Sequence, residues 1–467
     1  MYFGVLLYGQ LRKAPPVNAD RTEQKIYLKA GIRQRRYVSY GLCGIMALEL
    51  IMNLINFGVN FPRTELGRSG TIFYPRGSEY AASMIRYMHE DDDLFYRAET
   101  AHTQTLNDGA LNGYNGISTF TSSANVKVTE FMQTLGYSAK NSYNRYCFEE
   151  SSPVANLFLN LKYMIERKTV ESNAYFDYVH SYGTVTLLEN NAYLPLGFLT
   201  QPQLAAVDFS APSDRFGFQN HLLAEASGCP DFVWDRQYSA TFSATNATLS
   251  GEAMSGSCSY TTSADSGYVT ITFTASRAGL FCIDLTHLSK KNSFAVLHNG
   301  TELYTESYSL PQMLSVCDVL PGDTIAVRFT CKAEENGRLQ MSAAILNEEA
   351  FRKAYDVLAQ STLELTSFET TYIEGTIDCN RDGLLYTSIP QDGNWTATVD
   401  GAPAEIVLIG NAMVGIPLAE GTHTVAFRYE NKAFSLGWKV SLVCTLVFLG
   451  LAAWYYQPLY RKGKYEK

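Results

Sequence analysis

Two long apolar stretches constrain the fold of this chain more than any other feature of its sequence. Residues 37–59 contain a single charged side chain, Glu49, and residues 436–456 contain only Lys439. A helix of about 20 apolar residues crosses a hydrocarbon core of roughly 30 Å. The mean hydropathy of the whole chain is only −0.11, which argues against a chain embedded throughout. We therefore predict two transmembrane helices; the alternative for each is a buried core helix.

The charges beside these stretches predict their orientation. Residues 11–36 carry a net charge of +6 and residues 457–467 carry +3, and such basic flanks stay in the cytoplasm. The two flanks together carry +9 and the whole chain carries −9, so residues 61–435 carry −18. We predict that this acidic segment lies outside the cytoplasm. The expected location is a cytoplasmic membrane, with a large extracytoplasmic domain.

The first ten residues are apolar but too short to cross a bilayer. They lack the basic start and the small-residue cleavage site of a signal peptide. We interpret residues 1–10 as the end of an earlier membrane helix that leads into a basic cytoplasmic loop over 11–36. The expectation is a C-terminal part of a multi-span protein, with upstream membrane helices as its partners.

The predicted fold class is membrane-anchored α+β, with two full transmembrane helices flanking a mixed α/β domain and two β-rich, sandwich-like modules. Residues 60–238 mix helix and strand signals. Alternating strands and an Asn299-Gly300 hairpin signal predict the first β module over 239–346. Residues 347–360 form an amphipathic helix with Asn347 as its N-cap. Residues 361–435, with a second hairpin signal at Asp400-Gly401, form the membrane-proximal β module. Residues 457–467 form a cytoplasmic tail.

Several functional classes are disfavoured by composition. Seven of the nine cysteines lie between the apolar stretches without CxxC spacing or neighbouring histidines, so we predict no metal site and no cofactor. We interpret these cysteines as buried thiols, and disulfide bonds between some of them are the alternative interpretation. The acidic exterior argues against nucleic-acid binding.

Several segments together resemble the bacterial membrane protein YfhO family. They are FYRAET (95–100), LNDGALNGYNGISTFTSSAN (106–125), LGY (135–137), NAYLPLGF (191–198), FGFQNHLLAEASG (216–228), LLYTSIPQDGNWTATVDG (384–401) and LAEGTHTVAFRY (418–429). They keep the family's order over nearly the whole chain. This sequence departs from the family pattern at Gln391 and Asn394, in turns.

The resemblance implies a function that composition alone does not. YfhO-like proteins resemble multi-span GT-C glycosyltransferases, which take a sugar from a polyprenyl-phosphate carrier at the outer face. The family is implicated in decorating lipoteichoic acid, typically with N-acetylglucosamine. The resemblance thus implies a polyprenyl-phosphate sugar and a cell-envelope glycopolymer as partners. GT-C enzymes carry their catalytic carboxylate in the first outer loop, which we do not find here, so no catalytic residue is assigned.

A polar stripe lies within the first apolar stretch. Glu49, Asn53 and Asn56 are spaced i, i+4 and i+7, on one face of a helix. Polar groups at that depth are costly in lipid and face protein or a water-filled cavity. We consider two roles, lining a carrier-lipid or proton-bearing cavity, and packing against further helices, of which packing is favoured.

A second polar cluster lies on the predicted strand LFYRAET (94–100) and in the segment that follows it. Arg97 and Glu99 lie two residues apart and so share one strand face. The candidate role is binding of an acceptor or sugar, and the favoured alternative is a structural ion pair with loop-capping amides. Other candidates are Trp395 as a sugar-stacking ring and the run Asp91–Asp93, which we interpret as a solvated loop. The candidate binding residues are Arg97, Glu99, Asn107, Asp108, Tyr114, Asn115 and Trp395.

Two functional hypotheses follow. The first is the C-terminal part of a membrane glycosyltransferase whose outer domain positions the acceptor. The second is a non-catalytic, membrane-tethered carbohydrate-binding or adhesion module of the cell envelope. A net charge of −18 over residues 61–435 opposes binding of a polyanionic polymer, so the first hypothesis needs a local basic patch or a site for a neutral sugar.

Overall fold

In the computed structural model, the first apolar stretch is part of a helix that begins well before residue 37. The structure describes residues 18, 20–60, 78–88, 94–101, 106–167, 173–210, 212–252, 256–263, 265–288, 292–308 and 310–464. The predicted helix remnant 1–10 and the run Asp91–Asp93 lie outside these residues. The helices are α1 (Arg21–Ile55), α2 (Ser78–Met88), α3 (Asp108–Asn112), α4 (Val126–Leu135), α5 (Pro153–Phe158), α6 (Arg215–Ser227), α7 (Glu348–Leu358) and α8 (Lys432–Lys464).

Helix α1 starts early because a cap and not a membrane boundary defines its first turn. The side chain of Asp20 accepts hydrogen bonds from the amides of Thr22 and Glu23, at 2.8 and 2.7 Å. The predicted basic loop over 11–36 is therefore helical from Arg21 onwards, and α1 ends in a π-helical turn, Asn56–Asn60. Within the described residues, two helical segments are long and apolar enough to cross a membrane, Arg21–Val59 and Lys432–Trp454.

The described residues up to Glu79 and those from Tyr80 onwards form separate compact units. The second unit begins with the mixed α/β region, where a four-stranded sheet has the order β1-β5-β7-β6 and a small sheet has the order β2-β4-β3. Strands β1 and β5 are parallel, and the other pairs are antiparallel. The strands of this region are β1 (Arg97–Thr100), β2 (Thr119–Phe120), β3 (Ser138–Lys140), β4 (Arg145–Cys147), β5 (Leu161–Glu166), β6 (Phe176–Tyr182), β7 (Val185–Asn190), β8 (Gly197–Thr200) and β9 (Trp234–Gln237).

The first predicted β module is a sandwich of two antiparallel sheets. One sheet has the order β10-β13-β18-β15-β16, and the other has the order β11-β12-β19-β14-β17. Alternate residues of both sheets meet in one core that contains Ile271, Phe281 and Val327. The strands are β10 (Ala240–Thr245), β11 (Ala247–Glu252), β12 (Ser257–Thr262), β13 (Gly267–Thr274), β14 (Gly279–Leu288), β15 (Asn292–His298), β16 (Thr301–Tyr308), β17 (Gln312–Val319), β18 (Thr324–Cys331) and β19 (Asn336–Leu346).

The second β module also contains two sheets, with the orders β20-β21-β27-β23-β24 and β25-β26-β22-β8. Only Glu430 and Asn431 separate its last strand from helix α8. The strands are β20 (Glu364–Glu369), β21 (Tyr372–Cys379), β22 (Gly383–Pro390), β23 (Trp395–Val399), β24 (Ala402–Ala404), β25 (Val407–Ile409), β26 (Met413–Leu418) and β27 (Gly421–Tyr429).

Local signals in the sequence predicted both hairpins and the linking helix, and these predictions are confirmed. Asn299 and Gly300 join β15 to β16, and both adopt positive φ, as a two-residue turn requires. Asp400 and Gly401 join β23 to β24 in the same way. Helix α7 is capped by the Asn347 side chain, which accepts from the Ala350 amide.

Two strands cross the boundaries that the sequence suggests between regions. Strand β8 pairs with β22 of the second module, and strand β9 pairs with β19 of the sandwich. A shared aromatic cluster accompanies this pairing: the rings of Phe158 and Phe198 lie 5.3 and 5.2 Å from that of Tyr386. The mixed region and both β modules therefore form one continuous packed unit.

Candidate functional site

Strand β1 positions the polar pair that the sequence analysis identified. It lies at the edge of its sheet, where Arg97 is opposite Leu161 and Glu99 is opposite Met164 of β5. Ala98 packs into a small core beneath helix α2. The pair does not form a direct ion pair, because each side chain has its own set of partners.

The Arg97 guanidinium joins the mixed region to the second β module. Its Nη1 donates to the carbonyl of Leu159 at 3.0 Å, to Oδ1 of Asn160 at 3.4 Å and to the hydroxyl of Ser388. Nη2 donates to the Ser388 carbonyl at 3.1 Å. The Cζ atom of Arg97 lies 5.1 Å from the centre of the Phe95 ring. Burial lowers the pKa of Arg97, although an arginine stays charged at physiological pH. Neutral oxygens therefore hold this cation without a carboxylate in contact.

Glu99 is bound by the loop that follows helix α3. Its Oε1 accepts hydrogen bonds from the backbone amides of Ile117 and Ser118, and the residue is only 2% exposed. Burial raises the pKa of Glu99 to about 7, although the hydrogen bonds from Ser118 and Ile117 oppose that rise. The carboxyl group can therefore exchange a proton near neutral pH while it organises this loop.

Asn107 and Asp108 have structural partners around the first turn of α3. The Asn107 amide donates to the Phe120 carbonyl at 3.0 Å, and its oxygen accepts from the Phe120 amide at 2.8 Å. Asp108 is 3% exposed and forms an ion pair with Arg167, with 3.3 Å between Oδ2 and Nη2. These contacts attach the loop 113–120 and the end of β5 to the helix.

Tyr114 and Asn115 contact strand β1 itself. The Tyr114 hydroxyl lies 3.0 Å from Oγ1 of Thr100, and burial raises the pKa of Tyr114. The carbonyl of Asn115 accepts from the Ala98 amide at 3.0 Å. The structure thus brings Arg97, Glu99, Tyr114 and Asn115 together around one edge strand.

A second buried cation that the sequence analysis missed lies on the neighbouring strand. Lys162 of β5 is 8% exposed, and its ammonium lies 5.7, 5.3 and 5.5 Å from the ring centres of Tyr96, Tyr163 and Tyr193. The tyrosines come from three separate segments, so no local pattern predicts the cluster. The one signal in the sequence that could have indicated this cluster is that the segments FYRAET and NAYLPLGF each contain a tyrosine.

The remaining predicted residues lie elsewhere. Glu49 and Asn53 are exposed on α1, and Asn56 is the first residue of the π-helical turn, so the stripe belongs to the other compact unit. Trp395 lies on β23, with its ring 5.2 Å from that of Tyr429 in an edge-on arrangement. Trp395 is partly buried against the core of the second module.

A cleft of about 410 Å³ lies where the sandwich meets the mixed region. Carboxylates and tyrosines, including Glu150, Asp318, Tyr175 and Tyr304, share its lining with apolar side chains such as Leu303. None of these residues stood out in the sequence, because their positions are scattered and carry no motif.

Within the described part of the chain, no group of three or more His, Cys, Asp or Glu side chains is arranged to hold a metal ion.

Three solved structures show partial similarities to the chain. A family 35 carbohydrate-binding module from Clostridium thermocellum is 15% identical, with a TM-score of 0.18, and the match covers 24% of this chain and 95% of that one. A cycloisomaltooligosaccharide glucanotransferase from Paenibacillus sp. is 10% identical, with a TM-score of 0.18 and coverage of 41% and 45%. A GH2 β-galacturonidase from Eisenbergiella tayi is 10% identical, with a TM-score of 0.15 and coverage of 42% and 38%. These TM-scores are too low to carry a functional argument.

Comparison of the sequence with protein-family models identifies the family of this chain. No functionally curated protein matches the chain. The family model described as "Bacterial membrane protein YfhO" matches residues 26–441, which include most of helix α1, the first turns of helix α8 and everything between them. The motifs that meet at Arg97, Glu99 and Ser388 all lie within that match. The chain therefore belongs to the YfhO family of bacterial membrane proteins.

Proposed function

We propose that this chain is the extracytoplasmic and C-terminal membrane part of a glycosyltransferase that uses a polyprenyl-phosphate sugar. Its acceptor is a cell-envelope polymer such as lipoteichoic acid. Membership of the YfhO family over residues 26–441 is the observation that carries this proposal. The role of the part described here is to position the acceptor and to support the membrane bundle.

The connection between the second β module and helix α8 supports an acceptor-positioning role. Strand β27 ends at Tyr429 and helix α8 begins at Lys432. The two-residue connection leaves the module little freedom to move relative to the helix. Arg97 and Ser388 join the mixed region to the same module. A rigid outer unit of this kind would hold a bound polymer at a fixed height above the membrane.

Charge limits where a polymer could bind. The acidic outer segment repels polyanions over most of its surface. Arg97 and Lys162 are cationic, but both are largely enclosed by their own partners. The proposal therefore has the outer unit recognise an uncharged part of the acceptor.

In this proposal the stripe Glu49, Asn53 and Asn56 faces the upstream helices of the full-length protein. Polar groups within a membrane helix are retained where they contact protein or a wet cavity. Glu49→Gln in the full-length protein is expected to reduce polymer glycosylation if this carboxyl group lines the carrier cavity. Unchanged glycosylation would remove Glu49 from any catalytic or proton-transfer role and leave it a packing residue.

The coding DNA upstream of Met1 provides a direct test of the enzyme proposal. An open reading frame that continues into further membrane spans, with an acidic residue in an outer loop, is the expected result. Deletion of the gene should then abolish the sugar substitution of the envelope polymer, measured by mass spectrometry of purified lipoteichoic acid. A stop codon directly upstream, with a native product of this mass in the membrane, would contradict the proposal.

The second candidate function is a non-catalytic, membrane-tethered module that binds carbohydrate. The cleft beside Tyr175 and Asp318 favours it, because binding in a cleft needs no transfer reaction. Under this alternative, deletion of the gene leaves polymer glycosylation intact and changes only binding of glycans to the cell surface.

A further inference from the structure

The cleft between the sandwich and the mixed region has the dimensions of a small-molecule site. Its volume of about 410 Å³ lies within the range of roughly 300–1,000 Å³ that is typical of ligand pockets. Strand β17 forms one wall, and the segment between β4 and α5 forms another, through Ser315 and Glu150 respectively. The cleft thus combines two parts of the fold that lie far apart in sequence.

Two hydrogen bonds from Ser315 to backbone carbonyls fix these two walls to each other. The Ser315 amide donates to the Glu150 carbonyl at 2.9 Å, and the Ser315 hydroxyl donates to the Ser151 carbonyl at 3.3 Å. Glu150 adopts a φ of 47°, a left-handed conformation that is uncommon for a residue other than glycine. Such conformations persist where the surrounding structure determines them, and they often occur at ligand sites. The position of the Glu150 side chain at the cleft is therefore set by the fold.

The polar lining of the cleft is acidic. Glu150, Glu166 and Asp318 supply three carboxylates, and no lysine, arginine or histidine is among the described residues that line it. Charge of a single sign in a partly enclosed cleft repels ligands of the same sign. Carboxylates also accept strong, charge-assisted hydrogen bonds from hydroxyl groups. The lining therefore disfavours anions and suits a ligand that is rich in hydroxyl donors.

Tyr175 gives an independent indication of a ligand. The residue lines the cleft and is only 3% exposed, yet its hydroxyl has no hydrogen-bond partner among the described residues. An unpaired buried hydroxyl group destabilises the fold, and a ligand oxygen could offset that cost after a small shift of the side chain. Apolar side chains, including Phe176, Leu280 and Leu303, line the same cleft and can cover the C–H face of a ring.

We propose that this cleft binds one uncharged carbohydrate ring, a hexose or an N-acetylhexosamine, and excludes sugars and polyols that carry a phosphate or carboxylate. The assignment deepens the acceptor-positioning role proposed above and rests on it for its biological meaning. Binding itself requires no transfer reaction, so the two proposals can fail separately.

The test is a binding titration on the full chain. The protein is reconstituted in lipid nanodiscs, because alkyl maltoside and glucoside detergents would themselves present sugars to the cleft. Glucose and N-acetylglucosamine are titrated against glucuronate and glycerol phosphate, with saturation-transfer NMR and calorimetry as readouts. We expect a Kd of about 0.1–10 mM for at least one neutral sugar and at least 10-fold weaker binding of both anions.

Two variants at exposed positions of the lining test the location. Asp318→Ala removes a carboxylate acceptor and is expected to weaken neutral-sugar binding about 10-fold. Leu303 is 42% exposed, so a larger side chain fits there without disturbing the core. Leu303→Trp should fill the cleft with the indole ring and abolish binding. Glu302→Gln is the matched control, because Glu302 neighbours Leu303 on β16 but lies outside the lining. It should bind like the native chain.

Each outcome decides one proposal or the other. Absence of neutral-sugar binding, tighter binding of either anion, or binding that both cleft variants retain would overturn the assignment. If neutral sugars do not bind but the cleft variants still lower polymer glycosylation in cells, the ligand class is wrong and the acceptor-positioning role survives. If neutral sugars bind in the cleft but deletion of the gene leaves envelope polymers unaltered, the binding site survives and the transferase proposal fails.

Discussion

At the scale of single residues, Glu99 combines a structural contact with a titratable group. Its carboxyl group holds the loop amides of Ile117 and Ser118, and burial raises its pKa from 4.5 to about 7. A carboxyl group whose pKa is higher in the folded state favours folding when it is protonated. That contribution is complete below pH 4.5 and is lost as the pH rises through about 7.

Glu99→Gln should therefore flatten the pH dependence of stability. Glutamine keeps an oxygen that can accept from the loop amides but cannot ionise. Between pH 4.5 and 7, the native chain should lose up to about 3 kcal/mol of unfolding free energy through this group, and the variant should not. Chemical denaturation of the reconstituted chain at several pH values measures the difference. Equal slopes for the two proteins would show that Glu99 titrates normally.

At the scale of secondary-structure elements, one buried ion pair attaches helix α6 to the sandwich. Nη1 of Arg215, at the start of α6, lies 2.5 Å from Oδ1 of Asp284 on β14, and the two side chains are 8% and 1% exposed. Burial raises the pKa of Asp284, and the Arg215 charge opposes that rise. The pair contacts no candidate ligand residue, so its role is to hold two elements together.

Asp284→Ala is expected to destabilise the second compact unit by about 3–5 kcal/mol, because it leaves a buried guanidinium without its partner. Glu302→Gln breaks the exposed ion pair with Arg328 and provides the control, with an expected loss of at most about 1 kcal/mol. Denaturation followed by tryptophan fluorescence measures both, since Trp234 lies beside α6. Similar losses for the two variants would contradict the assignment of Arg215 and Asp284 as an element-joining pair.

At the scale of the whole molecule, topology remains a prediction that the charge pattern makes. Alkaline phosphatase is active only outside the cytoplasm, and green fluorescent protein folds to its fluorescent form inside. Phosphatase fused after Asn431 should be active, whereas phosphatase fused after Lys467 should be inactive and green fluorescent protein there should be fluorescent. The basic flanks predict this pattern. The reverse pattern would place the acidic unit in the cytoplasm and remove both envelope functions.

Much of the secondary structure followed from the sequence because its signals are local. The Asn299-Gly300 turn, the Asn347 cap and the alternation in strand β13 each depend on residues a few positions apart. The bounds of α1 were predicted less well. Hydropathy marks where a helix can lie in lipid, whereas the cap at Asp20 decides where it starts.

The candidate site was predicted only in part. Arg97 and Glu99 were expected to share a strand face, and they do lie on one strand, but the expected ion pair between them is absent. The Arg97 guanidinium instead donates to oxygens of Leu159, Asn160 and Ser388, and Ser388 lies 291 positions away in the chain. No periodicity or spacing rule relates positions so far apart, so only the folded chain reveals this contact.

The sequence by itself determined that this chain is a membrane protein of the YfhO family, with two apolar helices around an acidic, β-rich segment. Hydropathy, charge and turn chemistry are properties of short stretches, so they can be read without coordinates. Only the tertiary structure decided that strands β8 and β9 complete the sheets of other regions, that Arg97 is held by Ser388, and that Glu150, Tyr175 and Asp318 line one cleft. These features depend on which distant segments pack together, and that packing is set by the burial of the whole core.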